Sequence, residues 1–339
     1  MYTIYDYLKY YKNTSLQDVH WNAIDNLICA ILVYLPVASF SKEKNIKELY
    51  NYSLKFKNNL PGMMAPISYE ILETIKNSKR YNELEVSNFE NVRTEKTQFG
   101  AATFRTNCET IISFKGTDGS MIGWIENFRL AYEYPTYTQQ KAIDYLNKNI
   151  SFLDNEIYVV GHSKGGNLAM VSSMESNKLK KIKSVYNFDG PGFKSEEYNK
   201  AKYKKLKEKL INILPTNSVV GTIMNNDNYN VITSNKIAFE QHYPTSWCIF
   251  GEYFIDSKLS KTSQQLHEST TVGLEKLDNN KLKQIVEVFF KNFDKDYTSQ
   301  FKLDFNDIKS FIKNAKNIDK DTANYLLTVI DNMFLNNEK

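Results

Sequence analysis

The most constraining feature of the chain is a short motif between a predicted strand and a predicted helix. Residues 161–166 read Gly-His-Ser-Lys-Gly-Gly, which matches the Gly-x-Ser-x-Gly pattern of a nucleophile elbow. Residues 157–160 are apolar and predict a buried strand, whereas residues 164–175 predict a helix. Three fixed residues alone are a weak signal, and a glycine-rich structural turn is the alternative. The strand–turn–helix context favours Ser163 as a catalytic nucleophile.

The rest of the chain predicts an α/β-hydrolase fold. Its 339 residues, 42% of them apolar, suffice for one large domain with appended helices. Residues 1–80 predict mainly helices, including one capped by Asp18 with an apolar side formed by Trp21, Ile24, Ile28 and Ile31. A hairpin is predicted over residues 98–105 and 109–114.

Strands and helices then alternate, which predicts a mostly parallel sheet with helices on both faces. The predicted strands are residues 157–160, 184–188, 211–214, 229–233 and 246–250. The predicted helices are residues 139–149, 164–175 and 195–210. We expect a hydrolase domain over residues 1–265 and a helical C-terminal extension over residues 266–339. Two apolar stripes of that extension predict packing surfaces: Leu282, Ile285, Phe289 and Phe293, and Tyr325, Val329 and Met333.

The chain offers four histidines as the general base that a serine nucleophile needs: His20, His162, His242 and His267. In this fold the order along the chain is serine, acid, histidine, which leaves His242 and His267. His242 lies in a loop between two predicted strands, where catalytic groups are often carried, whereas His267 lies in a polar stretch. We favour His242 and expect the side chain of His162 to point elsewhere.

The favoured acid is Asp189, which ends a predicted strand before a Gly-Pro-Gly turn. A carboxylate at that place is well positioned to orient the histidine, although capping the turn is an alternative role. The other location for an acid follows the next strand, at residues 215–221, but it contains no carboxylate. Asp227 comes later, in an asparagine-rich loop.

Two backbone amides are expected to form the oxyanion hole. One belongs to Lys164, directly after the nucleophile. The other lies in the loop at residues 116–118, where Thr117 can donate from both its amide and its hydroxyl. Asp118 is expected to brace this loop, because a free carboxylate there would repel the oxyanion.

With these residues in place, the chain resembles class 3 lipases, which carry a Phe-Arg-Gly-Thr/Ser loop and a Gly-His-Ser-Leu-Gly-Gly elbow. Residues 114–117 here read Phe-Lys-Gly-Thr. Over roughly residues 1–255 the chain more closely resembles a bacterial lipase-like family of α/β-hydrolases whose function is largely unassigned. The resemblance implies hydrolysis of carboxylic esters, including lipid esters.

The chain departs from class 3 lipases at two positions. In those lipases the acid follows the strand after the Gly-Pro turn, which corresponds to the region of Ser218 here. Either the acid has moved to Asp189 or the triad is incomplete. Lys164 replaces the usual leucine; its side chain should point away from the nucleophile, and its amide still serves.

Composition narrows the partners. A net charge of +4, from 43 basic and 39 acidic residues, argues against nucleic acid as the main partner. Three cysteines lack metal-ligand spacing and are odd in number, so we expect no metal, no cofactor and a reducing cytoplasm.

Residues 1–11 do not resemble a signal peptide, and the longest apolar stretch, residues 27–40, is shorter than the roughly 20 residues of a membrane span. Residues 200–209, rich in lysine, predict a solvated face, with weak contact to a membrane surface as the alternative.

Three functions follow from these observations. The first is a cytoplasmic serine esterase or lipase-like enzyme that cleaves a small-molecule or lipid ester through an acyl-enzyme on Ser163. The second is a non-catalytic binding or regulatory module with this fold but without a complete triad. The third is a phospholipid hydrolase that works at a membrane surface.

Overall fold

A single sheet organises the part of the chain that the computed structural model describes, residues 1–291 and 296–301. Its eight strands lie in chain order. They are β1 (Lys44–Asn45), β2 (Glu85–Arg93), β3 (Gln98–Arg105), β4 (Glu109–Phe114), β5 (Glu156–His162), β6 (Ile182–Phe188), β7 (Leu210–Pro215) and β8 (Tyr229–Ile232). Strands β1 to β4 pair antiparallel, and β4 to β8 pair parallel. This sheet, with helices on both faces, confirms the predicted α/β-hydrolase fold.

Helices precede, connect and follow these strands. Before β2 come α1 (Ile4–Tyr11), α2 (Ala23–Leu32), α3 (Ile46–Ser53) and α4 (Met64–Ile75). Between β4 and β7 lie α5 (Met121–Arg129), α6 (Tyr137–Asn149), α7 (Lys164–Glu175), α8 (Ser195–Tyr198) and α9 (Ala201–Lys207). After β8 come a two-stranded hairpin of β9 (Ile249–Phe250) and β10 (Tyr253–Phe254), then α10 (Lys261–Lys276) and α11 (Asn279–Lys291).

Each face of the sheet packs against its own core. Successive side chains of a strand point in opposite directions, so neighbouring residues of one strand enter different cores. Val160 of β5 joins a core with the N-terminal helices, including Ile28 and Leu72. Its neighbour Val159 joins a second core with α6, α7 and α9, including Val171. Burial on both faces explains why residues 157–160 are apolar without alternation. The parallel strands direct their carboxyl ends, and the loops that follow them, to one edge.

The predicted N-terminal helices are present, but the predicted cap is wrong. Helix α2 begins one residue after Asn22, whose side-chain oxygen accepts hydrogen bonds from the amides of Ile24 (2.9 Å) and Asp25 (3.3 Å). Asp18 instead closes a separate turn, in which it accepts the hydroxyl of Ser15 at 2.6 Å.

Three segments between residues 85 and 250 differ from the predicted elements. The expected helix over residues 195–210 is two short helices, because Lys200 between them adopts an extended backbone. The expected strand over residues 246–250 is reduced to a single bridge between Trp247 and Ser234 and the short strand Ile249–Phe250, since residues 244–246 form a 3₁₀ turn. Strand β2 was not predicted, because its second half is largely polar and its pairing register shifts between Ser87 and Glu90.

The C-terminal region is helical over Lys261–Lys276 and Asn279–Lys291, whereas residues 296–301 form a turn and a bridge to Ser120. Helix α10 begins at Lys261, so it crosses the predicted division at residue 265, which stays a prediction. Leu282 and Phe289 of the first predicted stripe are buried. Phe293 and the second stripe, Tyr325, Val329 and Met333, lie outside the described residues. No helix within the described ranges is both long and apolar enough to cross a membrane.

Candidate active site

Ser163 occupies a sharp turn between β5 and α7. Its backbone has φ 60° and ψ −133°, a conformation that is uncommon for a residue with a side chain and that concentrates at functional sites. The turn is closely packed: a Cβ on Gly161 would lie 2.1 Å from the carbonyl oxygen of Gly165. The amide of Ser163 donates to the carbonyl of Phe188 at 2.9 Å, which ties the turn to the end of β6.

His242 and Asp189 form a hydrogen-bonded pair at the same edge of the sheet. His242 ends a 3₁₀ turn at residues 238–242, and its Nδ1 lies 2.6 Å from Oδ2 of the buried Asp189. A carboxylate accepts only, so the proton of this bond lies on Nδ1 and the neutral ring keeps Nε2 as an acceptor. The pair therefore has the arrangement that a general base and its orienting acid need.

The loop after β7, where class 3 lipases carry their acid, donates hydrogen bonds to Asp189. Its Oδ1 accepts the hydroxyl of Ser218 and the amide of Gly221, the latter at 3.1 Å. A Cβ on Gly221 would lie 2.4 Å from that oxygen, so only glycine leaves the carboxylate in place. The loops after β6 and β7 thus meet, and the carboxylate comes from the first of them. Asp227 is occupied elsewhere, since it pairs with Lys207 at 2.9 Å.

His162, expected to point elsewhere, contacts the loop of His242. Its Nε2 lies 2.8 Å from the carbonyl oxygen of His242, and the two rings are 4.6 Å apart between centroids. Burial, with a smaller contribution from nearby His242, lowers the pKa of His162 well below its usual value of 6.5. The neutral ring therefore donates from Nε2. Tyr34 completes the arrangement, because its hydroxyl donates to the carbonyl of His162 at 3.1 Å.

The alternative base, His267, has no described carboxylate partner like the one that Asp189 provides for His242. It lies in α10, and its Nδ1 is 2.8 Å from the carbonyl oxygen of Thr222. Its described contacts do not include a carboxylate. The sequence could not show that His162 supports His242, because the two residues are 80 positions apart.

The two predicted oxyanion donors lie beside the turn of Ser163. Within the described residues, the amides of Thr117 and Lys164 donate to no other protein group, so both remain available to a ligand. The hydroxyl of Thr117 is used differently, since it donates to Oδ1 of Asn127 at 3.0 Å.

Asp118 has the contacts of a bracing residue. It accepts from Nε of Arg93 at 2.8 Å and from the hydroxyl of Ser120 at 2.6 Å. Burial acts to raise the pKa of Asp118, but the charges of Lys115 and Arg93 and the bonds from Ser120 lower it below its ordinary value. The negative charge of this carboxylate is therefore balanced by Arg93 and Lys115, and it does not face an oxyanion alone.

A cavity of about 630 Å³ opens onto these groups. Ser163, His242, Thr117 and Lys164 all line it. Most of the remaining wall is apolar and comes from several elements: Tyr34, Met64, Trp124, Phe128, Leu130, Val220, Ile223, Met224, Phe239, Leu274, Leu282 and Val286. An apolar cavity with a few convergent polar groups is typical of a small-molecule site.

Three features of the described residues bear on the chemistry. The hydroxyl of Ser163 makes no hydrogen bond with His242, a contact that often tightens only when substrate is bound. In the same part of the chain, no three His, Cys, Asp or Glu side chains are grouped so that they could hold a metal ion. All three cysteines are free thiols.

The sheet, the turn at Ser163 and the cavity define the class of the protein as an α/β-hydrolase fold of the lipase-like type. The chain belongs to the Mbeg1-like family, whose model matches residues 75–291. That match confirms the predicted membership of a lipase-like family. The cytoplasmic location and bacterial source stay predictions. A comparison with curated proteins found no match.

Solved structures of lipases are similar in part. The crystal structure of M37 lipase covers 59% of this chain and 68% of its own, at 15% identity and a TM-score of 0.38. A Rhizomucor miehei lipase–propeptide complex covers 62% and 68%, at 12% identity and a TM-score of 0.38. Lip2 lipase from Yarrowia lipolytica covers 63% and 81%, at 13% identity and a TM-score of 0.35.

Proposed function

We propose that the protein is a serine hydrolase that cleaves carboxylic esters through an acyl-enzyme on Ser163. The observation that carries this proposal is the hydrogen-bonded pair of His242 and Asp189, which lies at the same cavity as a serine with a strained backbone. Ser163 as nucleophile, Asp189 as acid and His242 as base follow the order along the chain that this fold uses.

In the proposed reaction, Oγ of Ser163 attacks the ester carbonyl carbon while Nε2 of His242 takes the hydroxyl proton. Asp189 stabilises the resulting imidazolium, and the amides of Thr117 and Lys164 bind the oxyanion. The tetrahedral intermediate expels the alcohol, which receives its proton from His242. A water molecule, deprotonated by His242, then releases the carboxylic acid and restores Ser163.

The substrate that the cavity suits is a small-molecule or lipid ester with an apolar acyl group. Apolar side chains form most of the wall beside Ser163, and transfer of each methylene from water into such a site contributes about 0.8 kcal/mol. The proposed reaction requires neither a metal nor a cofactor.

The first prediction tests the nucleophile. A fluorophosphonate probe should add once to the wild type and not to Ser163→Ala, and the substitution should lower kcat on a short acyl ester by at least about 10³-fold. Intact mass spectrometry and ester hydrolysis measure both effects. Ser151→Ala, which alters an exposed serine, is the control and should behave as wild type.

Two results of the labelling experiment would contradict the proposed nucleophile. An equal adduct on Ser163→Ala would place the reactive group elsewhere. Folded wild-type protein that takes no probe would favour the second candidate, a non-catalytic binding or regulatory module. The absence of a hydrogen bond between Ser163 and His242 is the observation that favours that candidate.

Contact with a membrane surface has weaker support. Within the lysine-rich segment 200–209, three lysines face carboxylates, which reduces the charge that could attract anionic lipid: Lys200 with Glu197, Lys202 with Glu175, and Lys207 with Asp227. The action on phospholipids at a membrane therefore stays a prediction, tested by flotation with anionic vesicles at low salt.

A further inference from the structure

The residue after the nucleophile carries a buried ammonium group. The side chain of Lys164 is 1% exposed, and its Nζ lies 2.6 Å from Oε2 of Glu126, whose side chain is 3% exposed. The same Nζ donates to Oε1 of Gln98 at 2.8 Å and to the carbonyl of Gln98 at 3.0 Å. All three of its protons therefore have acceptors, and the ion pair is completely enclosed by protein.

Glu126 is equally well satisfied. Its second oxygen, Oε1, accepts the hydroxyl of Thr97 at 2.8 Å, the hydroxyl of Thr138, and the amide of Gln98 at 3.3 Å. The carboxylate thus joins β3 and α6 to its own helix, α5. Because two buried charges lose their hydration, such a pair is often no more stable than apolar side chains of the same volume. Stability alone does not account for a lysine at this position.

The network continues to the loop that carries the other oxyanion donor. Nε2 of Gln98 donates to the carbonyl of Gly116 at 3.2 Å, directly before Thr117. The hydroxyl of Thr117 is held by Asn127, the residue after Glu126 in α5. The two predicted oxyanion donors are therefore connected through buried side chains: Lys164 through its own side chain, and Thr117 through Gly116 and α5.

We propose that the ion pair of Lys164 and Glu126 positions the oxyanion hole, by holding the amides of Thr117 and Lys164 at a set distance from each other and from Ser163. This proposal rests on the proposed function. Lys164 contributes its amide to the oxyanion directly, whereas its side chain and Glu126 act as positioning groups. Such amides stabilise the oxyanion only when they lie about 2.7–3.1 Å from the place it will occupy, so small displacements reduce kcat.

The test replaces both charges at once. Lys164→Met combined with Glu126→Leu removes the pair without leaving a buried charge alone. We expect kcat to fall by about 10- to 100-fold while KM stays within about 2-fold, because displaced amides weaken the binding of the transition state and not that of the substrate. The single variant Glu126→Gln keeps an oxygen acceptor for Nζ of Lys164 but leaves this buried ammonium without its counter-charge, so it should lower the free energy of unfolding while kcat of the folded protein stays within about 3-fold. Hydrogen exchange measured by mass spectrometry should be faster over residues 115–118 in the double variant only.

Gln98→Met is the second variant, used in the same assays if the double variant does not fold. It keeps the ion pair and breaks the connection to Gly116, so it should also lower kcat at constant KM. An active, folded double variant with wild-type kcat overturns the inference, while labelling of Ser163 leaves the proposed function standing. If the wild type itself is unlabelled and inactive, the proposed function fails first. In that case, hydrogen exchange over residues 115–118 that is the same in the double variant and the wild type overturns the positioning role as well.

Discussion

At the scale of single residues, the sequence could name the candidate residues that the structure brings together, because a motif, a strand end or a loop marks each of them. The motif pointed to Ser163, the strand end before a Gly-Pro-Gly turn pointed to Asp189, and the order of residues along the chain narrowed the histidines to His242 and His267. The supporting contacts were not predictable, because Ser218 lies 29 residues from Asp189 and His162 lies 80 residues from the carbonyl it binds. The positive φ of Ser163, at 60°, is what the elbow motif implies, whereas no sequence pattern near Asp189 indicates its positive φ of 51°.

His162 makes the stability of the protein depend on pH. Its pKa is lowered in the folded state, so below about pH 6.5 the unfolded chain binds a proton that the folded protein does not. The free energy of unfolding should therefore fall as the pH drops below 6.5, with His162 contributing up to about 1.4 kcal/mol per pH unit. Above that pH the contribution should be constant.

The comparison of wild type with His162→Gln tests this dependence. Glutamine can still donate to the carbonyl of His242, but it does not titrate. Urea unfolding at several pH values between 5 and 8 should show a stability difference that changes in favour of His162→Gln as the pH falls. A difference that is the same at every pH would show that His162 has no depressed pKa in the folded protein.

At the scale of elements, prediction succeeded where one face or one turn determines the structure. The hairpin of β3 and β4 and the helix α7 have the predicted bounds, because their turns and apolar patterns are contained within them. Strand β2 was missed, since its polar positions become strand only through pairing with β3. The cap of α2 was misplaced by four residues for a related reason: Asp18 and Asn22 are both good caps, and only the path of the chain selects Asn22.

Asn22 should therefore contribute to stability while Asp18 does not. Asn22→Ala removes the acceptor for the first amides of α2 and should lower the free energy of unfolding by about 1 kcal/mol, within a range of about 0.5–2. Asp18→Ala, in an exposed turn, is the matched control and should change it by less than about 0.5 kcal/mol. Urea denaturation measures both, and equal losses would contradict the assignment of the cap.

At the scale of the whole molecule, the C-terminal helices form part of the cavity. Leu274 of α10 and Leu282 and Val286 of α11 line it beside residues from the N-terminal half. Residues 299–301 return to the loop before α5, where the amide of Phe301 donates to the carbonyl of Gly119 at 2.8 Å. The apolar stripe that begins at Leu282 predicted that α11 packs against the domain. It could not predict that Leu282 and Val286 line the cavity, because that depends on contacts distant in sequence.

The wall that α11 provides should limit the length of the acyl group. Val286→Trp fills part of the cavity, and excluding two methylenes costs about 1.6 kcal/mol, so kcat/KM for long acyl esters should fall about 10-fold relative to short ones. Lys283→Trp adds the same side chain on the exposed side of α11 and is the control. A series of esters of increasing chain length measures the preference, and identical profiles for the two variants would exclude this wall as the limit.

The chain-order arrangement of the sheet has a consequence for biosynthesis. Each strand from β2 to β8 pairs with the strand made just before it, so the sheet can grow at one edge as the polypeptide leaves the ribosome. Ser163 and then Asp189 are synthesised before His242, and α10 and α11 follow His242. Under the proposed function, the nascent chain therefore carries Ser163 before it has His242 as a base, and the candidate site is complete only after α10 and α11 have added their part of the cavity wall.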